Sequence, residues 1–385
     1  MPMIPYGRQD INEADIQAVM QILTSPWLTQ GPAIERFESS VADYSGAKYA
    51  VAVNNATAAL HLACLALELG DGDVLWTVPN TFVASANCGR YCGAVVDFVD
   101  IDPRTYNMSI SALTEKLELA KRAGKLPKVV VPVHFAGQSC EMATIAQLAK
   151  TYGFRVIEDA AHAIGGLYRD QKIGSCEFSD LTVFSFHPVK IITTGEGGML
   201  VTNNPKLYQR LLRLRSHGIT RTPEMEQEQG AWYYEQLELG FNYRMTDLQA
   251  ALGTSQLERI NQFVERRRYL ARRYERMLQK LPLKTPWQQP GTHSAWHLYV
   301  VRLQLGGLKK SRRQIFDELR NLGIQVHVHY IPVYRQPYYQ QLGFKQGYCP
   351  EAERYYEEVL TLPLHYRLTD AEQDYVVEML GQVLG

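Results

Sequence analysis

The feature that most constrains this chain is an alternation of short apolar runs and helical stretches from Lys48 to Thr202. Lys48 to Val53 (KYAVAV) reads as a strand that runs into Asn54-Asn55-Ala56-Thr57. Ala58 to Gly70 (AALHLACLALELG) follows as a helix, with Gly70 as its stop signal. Further strand-like runs lie at Val74 to Val78, Ala94 to Val99, Val129 to Val133, Arg155 to Ile157, Leu181 to Phe186 and Met199 to Thr202. Strands separated by helices call for an α/β layer on a largely parallel sheet. A helix over Asn12 to Leu23 precedes them.

The pattern changes after about Ala250. Leu257 to Leu281 reads as one long, charged helix, Trp296 to Leu305 as a strand and Ser311 to Leu322 as a helix; the stretch from Glu351 is helical near both ends. A chain of 385 residues exceeds what one apolar core usually organises. The expected division is a large domain over 1–250 and a smaller α+β domain over 251–385. No Pro/Ser-rich linker separates them, so a helix should mark the boundary.

Composition narrows the function classes. Lys plus Arg and Asp plus Glu each number 40, a formal charge of zero, so no broad basic field invites nucleic acid. The Arg266-Arg267-Arg268 and Lys309-Lys310 clusters read as solvated faces. MPMIPYGRQD lacks the basic-then-apolar pattern of a signal peptide, and no apolar stretch has the length of a membrane span. The six cysteines are scattered without zinc-site spacings. A cytoplasmic protein with reduced thiols, no metal and no membrane contact is expected.

Four features bear on chemistry. In VIEDAAHAIG (Val156 to Gly165) an apolar strand ends in Glu158-Asp159, placing a carboxylate where open α/β sheets bind ligands. Taken alone, such an Asp is more often a cap. In FSFHPVKIITTGEGG (Phe184 to Gly198), Lys190 lies among apolar and hydroxyl residues, with His187 as the near cationic candidate. Desolvation there favours the neutral, nucleophilic amine, although a lysine that snorkels to solvent is the plainer reading. Asn54-Asn55-Ala56-Thr57 ahead of a helix offers backbone N–H groups and a hydroxyl to an anion, or simply caps the helix. In VPNTFVAS, Phe82 is either a flat lid for an aromatic ring or a core aromatic. Asp159 and Lys190 are 31 positions apart, enough for both to reach one pocket from neighbouring strand ends. Together the four supply what pyridoxal phosphate needs: an amine for the aldehyde, a carboxylate for the ring nitrogen, N–H groups for the phosphate and an aromatic cover.

At this point the chain resembles the DegT/DnrJ/EryC1/StrS aminotransferase family, fold-type I enzymes acting on nucleotide-linked keto-sugars. The resemblance runs over essentially the whole chain. It is carried by WLTQGPAIERFE, NNATAALHLA, PNTFVASANC, PVHFAGQ, EDAAHAIG, FSFHPVK, TTGEGGM, HGI, GFNYRMTDLQAALG and VHYIP. It implies that Lys190 holds the cofactor as a Schiff base, that Asp159 partners the pyridine nitrogen and that His162 sits beside the ring or its oxygen substituent. Ser185 would bind the phosphate with Ala56 and Thr57, and Phe82 would stack. Asn242 would reach the phosphate from the other subunit, so that a homodimer shares the site. Many relatives have Ser-Gly-Thr where this chain has Asn55-Ala56-Thr57, which limits close backbone approach but leaves the N–H groups available.

Within the family, MIPYGRQDI, FAGQSCEM, SAWHLYVVRL and GIQVHVHYIPVY are most similar to members that aminate C4 of a UDP-linked 4-keto-6-deoxy-N-acetylhexosamine, a step toward pseudaminic acid. The resemblance makes L-glutamate the donor and 2-oxoglutarate the released acid. Tyr6, Thr29, Asn242, His327, His329 and Tyr330 would line the sugar-nucleotide site, although His327 and His329 alternate with valines as a plain strand would. Members acting on a perosamine or 4-amino-arabinose precursor remain alternatives, as does a regulatory protein that binds the cofactor without turnover. Relatives that dehydrate sugars carry His at the lysine position, and Lys190 argues against that chemistry.

Overall fold

The computed structural model describes residues 3–385. Its centre is a seven-stranded sheet built from β1 (Tyr49–Val53), β2 (Val74–Thr77), β3 (Val95–Phe98), β4 (Val129–Val131), β5 (Arg155–Asp159), β6 (Leu181–Ser185) and β7 (Gly198–Thr202). The strands lie in the order β1-β7-β6-β5-β4-β2-β3. All run parallel except β7, which is antiparallel to both β6 and β1. The carboxyl ends of the parallel strands and the start of β7 therefore share one edge, the edge at which such sheets bind ligands.

Period-two alternation sends neighbouring side chains into two different cores. Val51, Val53, Leu181, Val183 and Leu200 join the helix Ala56–Ala66 on one face. Ala50, Ala52, Phe184, Met199 and Val201 join the helices Pro32–Ser45 and Asp247–Glu258 on the other. A sheet covered on both sides explains why its strands read as nearly unbroken apolar runs.

The C-terminal part has an antiparallel sheet of three strands, β8 (Leu283–Lys284), β9 (Tyr299–Leu303) and β10 (Val359–Leu362), in that order. Tyr299, Val301, Leu360 and Leu362 pack with Ile315 and Leu319 of the helix Arg312–Asn321 and with Val376 and Leu380 of Asp370–Leu384. Ile4 joins this third core, so the start of the chain packs with its end. The helix Ile260–Met277 gives Ile260, Phe263 and Val264 to the second core and Leu270, Ala271 and Tyr274 to the third.

Three local expectations are corrected. The first cofactor-side helix ends at Ala66, before Gly70, because Glu68 takes the left-handed conformation (φ 59°) and the Leu69 N–H bonds back to Cys64 O at 3.0 Å, a Schellman-type stop. The expected helix over Leu257 to Leu281 is two helices that break at Arg259, whose guanidinium is held by Asp10 at 2.7 Å and Asp15 at 2.5 Å. Trp296 has φ 52° and stands outside its expected strand, which begins at Tyr299. Among the described residues, no helix is long and apolar enough to cross a membrane.

Candidate active site

Asp159 is the last residue of β5 and is buried. Its backbone is fixed on both sides: its N–H donates to Pro132 O at 2.9 Å and its carbonyl accepts from the His134 N–H at 3.0 Å. The side chain accepts the Ser85 hydroxyl on Oδ2 at 2.6 Å and the Ala161 N–H on Oδ1 at 3.1 Å. The carboxylate thus stands at the sheet edge with both oxygens hydrogen-bonded.

Lys190 lies in the turn after β6, its N–H donating to His187 O at 2.9 Å. Burial of the amine lowers its pKa to about 8, partly offset by the charge of Asp159. A substantial neutral fraction near pH 7–8 is what a nucleophilic lysine needs. The same sequence segment suggested His187 as a neighbouring cation, but that side chain is half exposed and faces Glu196 at 4.0 Å. The histidines that feel Lys190 are His162, His297 and His329. Burial first, and then neighbouring positive charge, pushes each well below the usual imidazole range, so all three are neutral.

His162 follows β5. Its ring lies 4.4 Å from that of His297, its Nε2 lies 3.3 Å from the Tyr330 hydroxyl, and its buried Nδ1 has no protein partner among the described residues. Gly137 lets these segments meet. It has φ 104°, and a Cβ there would stand 2.8 Å from Trp296 N and 3.0 Å from His162 O.

An anion cradle forms where β1 turns into the helix Ala56–Ala66. Asn55 caps that helix by accepting the Ala58 N–H at 2.8 Å, and neither the Ala56 nor the Thr57 amide has a protein acceptor among the described residues. Ser185, the last residue of β6, pairs with Gly198, the first of β7. A Cβ at Gly198 would lie 2.6 Å from Asn55 C and 2.7 Å from Ala56 N, so glycine lets the cradle sit directly over the strand ends.

Phe82 follows β2 and is 60% exposed, which rules out the core-aromatic reading. Tyr6 brings the N-terminal segment to the C-terminal one: its ring lies 5.3 Å from His327 and 5.4 Å from His329. His329 is held by Thr361 Oγ1 at 2.9 Å, and its ring lies 4.7 Å from that of Tyr330. Tyr6, His327, His329, Tyr330 and His162 therefore form one continuous group. Thr29 and Asn242 do not join it within the chain. Both are exposed, Thr29 bridged to Thr246 and Asn242 to Ser216.

The sequence profile of the DegT/DnrJ/EryC1/StrS aminotransferase family matches residues 9–381. The chain belongs to that family. It is 39% identical over 381 residues to the GDP-perosamine synthase of Caulobacter vibrioides, covering 98% of this chain and 96% of that one. It is 35% identical over 383 residues to the UDP-4-amino-4,6-dideoxy-N-acetyl-beta-L-altrosamine transaminase of Campylobacter jejuni subsp. jejuni, covering 99% and 98%. The structure superposes on Spr1654 of Streptococcus pneumoniae, described as a sugar aminotransferase, in its PMP form with a TM-score of 0.91 at 32% identity, covering 99% of this chain and 98% of the other.

Sequence reasoning missed three residues of this aminotransferase site: Ser85, which bonds Asp159; His297, whose ring lies tilted against His162; and Gly198, under the cradle. Ser85 and His297 stand inside the quoted motifs PNTFVASANC and SAWHLYVVRL, but only the packing of distant segments shows what they touch. Open clefts of about 630 and 730 Å³ exist elsewhere on the aminotransferase, and neither contains Lys190 or Asp159.

Proposed function

We propose that this aminotransferase transfers the amino group of L-glutamate to C4 of a UDP-linked 4-keto-6-deoxy-N-acetylhexosamine, giving UDP-4-amino-4,6-dideoxy-N-acetyl-β-L-altrosamine and releasing 2-oxoglutarate. The enzyme is a pyridoxal-phosphate-dependent nucleotide-sugar aminotransferase. The observation that carries the aminotransfer chemistry is the meeting, at one sheet edge, of a desolvated lysine and a buried carboxylate beside an anion cradle, while the choice of sugar rests on the similarity to the Campylobacter jejuni transaminase.

The residues present fit the cofactor. The Ala56 and Thr57 amides lack protein acceptors at a helix N-terminus, where a phosphate gains from both the N–H groups and the helix dipole. The Ser185 hydroxyl makes no side-chain hydrogen bond within the described chain and stands next to them. His162 Nδ1 is an orphaned buried polar atom beside the site, which calls for a ligand partner. When bound, pyridoxal phosphate supplies an aldehyde for amines and a ring that withdraws electrons.

In this reading Lys190 would hold the aldehyde of the cofactor through Nζ, and the same amine would serve as the general base and acid of the site. Asp159 would face the ring nitrogen, its negative charge favouring the protonated ring. Ser185, Ala56 and Thr57 would hold the phosphate together with Asn242 of the partner subunit, and Phe82 would cover the ring. Exposure of Asn242 in the single chain supports such a shared site in a homodimer. Tyr6, Thr29, Asn242, His327, His329 and Tyr330 face the sugar nucleotide, and the aromatic group around Tyr6 offers both flat surfaces and hydrogen bonds for it.

A second reading is favoured by the 39% identity to GDP-perosamine synthase: the same chemistry on a GDP-linked 4-keto sugar. Protein loaded with pyridoxamine phosphate and incubated with a panel of UDP-, GDP- and TDP-linked 4-keto sugars separates the two. Amination of the UDP-linked N-acetylated substrate supports the first reading. Success on a GDP-sugar alone replaces it with the second.

A further inference from the structure

A carboxylate that must stay ionised while nearly sealed from water needs donors, and Asp159 has no lysine or arginine in hydrogen-bond contact among the described residues. Its two side-chain hydrogen bonds come from a backbone amide and from Ser85. Ser85 is the second residue of the helix Ala84–Tyr91, one helical turn beyond Thr81. Both hydroxyl residues are buried, Ser85 at 1% exposure and Thr81 at 4%, so water does not compete for their hydrogen bonds.

The order of protons in this group follows from chemistry. An ionised carboxylate only accepts, so the Ser85 hydroxyl hydrogen is committed to Asp159 Oδ2 at 2.6 Å. The competing acceptor, the Phe82 carbonyl, is 3.4 Å away and loses to the shorter, charge-assisted bond. With its own hydrogen spent, Ser85 Oγ can only accept from Thr81 Oγ1, 2.8 Å away. The chain Thr81→Ser85→Asp159 is therefore polarised in one direction, each hydroxyl strengthening the next as a donor. The Ala161 N–H on Oδ1 opposes it and fixes the rotation of the carboxylate.

We propose that Ser85, backed by Thr81, is a positioning residue of this aminotransferase, setting the orientation and charge of the Asp159 carboxylate. The proposal rests on the reading that Asp159 partners the ring nitrogen of the cofactor. Neither hydroxyl touches cofactor or substrate in this role. Without the Ser85 donor, the carboxylate loses a hydrogen bond that favours its charged form and is held by the Ala161 N–H alone. It then takes up more of the proton it shares with the ring nitrogen, and the ring withdraws electrons less well. A ring carrying less positive charge makes the nitrogen linking it to Lys190 more basic, which the visible absorption of the bound cofactor reports.

The test compares Ser85→Ala, Ser85→Thr and Thr81→Val with wild-type holoenzyme. Three quantities are measured: borohydride trapping on Lys190, the pH midpoint of the visible band, and kcat with KM. Trapping on Lys190 in every protein shows that the cofactor is held at this site, and a raised midpoint in an Asp159→Asn control shows that Asp159 bears on the ring; failure of either control sinks the underlying reading and is told apart from failure of the Ser85 proposal. For Ser85→Ala, a hydrogen bond to a charged group predicts a kcat loss of about 10- to 100-fold with KM changed less than about 3-fold. Its band midpoint should rise by at least about half a pH unit. Ser85→Thr should restore both, and Thr81→Val should shift the midpoint the same way by less. A Ser85→Ala enzyme that titrates like wild type, whether or not it is slower, overturns the proposal. If that variant does not fold, an unshifted midpoint in Thr81→Val overturns it instead.

Discussion

The Tyr330 hydroxyl lies 3.3 Å from His162 Nε2, so a residue of the C-terminal part touches one that follows β5. Burial raises the tyrosine well above its ordinary value and lowers the histidine well below its own, so both stay neutral through the working range. A phenol donating to Nε2 leaves the imidazole proton on Nδ1, the orphaned atom, where it can be offered to a ligand oxygen. Tyr330→Phe releases that choice of tautomer. It should lower kcat/KM about 10-fold while costing no more than about 1.5 kcal/mol of stability, the range for one neutral hydrogen bond. Steady-state kinetics and urea unfolding check the two halves.

The Lys190 amine, lowered to about 8, gives a pH dependence whose sign is fixed. The neutral amine is the attacking form, and it is lost as pH falls below that value. Apo-protein mixed with pyridoxal phosphate should form its visible band about tenfold more slowly for each pH unit below 8 and reach a plateau above it. Stopped-flow absorbance between pH 6 and 10 measures this; a rate still rising at pH 10 would mean an ordinary, solvated lysine.

Gly198 is hemmed in by backbone, which cannot move aside as a side chain can. In Gly198→Ala the new methyl must displace Asn55 and Ala56, now 2.6 and 2.7 Å from it. Overpacking of this kind costs about 1–3 kcal/mol, here paid at the anion cradle. Cofactor affinity, measured by fluorescence titration of apo-protein, should fall by about 5- to 100-fold.

If Asn242 completes the site of a partner subunit, two dead variants should rescue one another. Lys190→Ala and Asn242→Ala homodimers would each be inactive or weak. In a mixed dimer, the Asn242→Ala chain keeps its own Lys190 and receives an intact Asn242. Random reassortment should restore about a quarter of wild-type activity. No recovery after demonstrated subunit exchange would place Asn242 in its own chain's site or outside any.

Behind the site, His134 Nε2 lies 2.7 Å from Glu158 Oε2, while His134 Nδ1 accepts the Cys140 N–H at 3.0 Å. Glu158 is also held by Ser179 and Thr182. Removing the imidazole leaves a buried carboxylate short of one donor. His134→Ala should therefore lose about 2–4 kcal/mol in urea unfolding, even though the residue lies outside the chemistry.

The sheet was legible in the sequence because strands covered on both faces are mostly apolar, as KYAVAV and LTVFS are. The direction of β7 was not, since its alternation reads the same whichever way the strand runs. The break at Arg259 was hidden for a different reason. Apolar spacing continues across it, and the residue at the break is held by a pair of acids, Asp10 and Asp15, far away in the chain. Asp159 and Lys190 stood out only jointly, with the helix N-terminus and the aromatic that complete a cofactor site; alone, a cap and a solvated lysine were the plainer readings. Ser85 did not, because a serine near a helix start has an ordinary role there; its contact with Asp159 exists only once β2 and β5 share a sheet.

The helix Ile260–Met277 has its first turns embedded in one core and its later turns in another. Such a shared beam resists bending, so the two halves of the molecule cannot tilt apart like jaws without shearing packed side chains. Entry and exit of a bulky sugar nucleotide must then rest on side-chain movements, such as that of the exposed Phe82, and heat should melt both halves in one step.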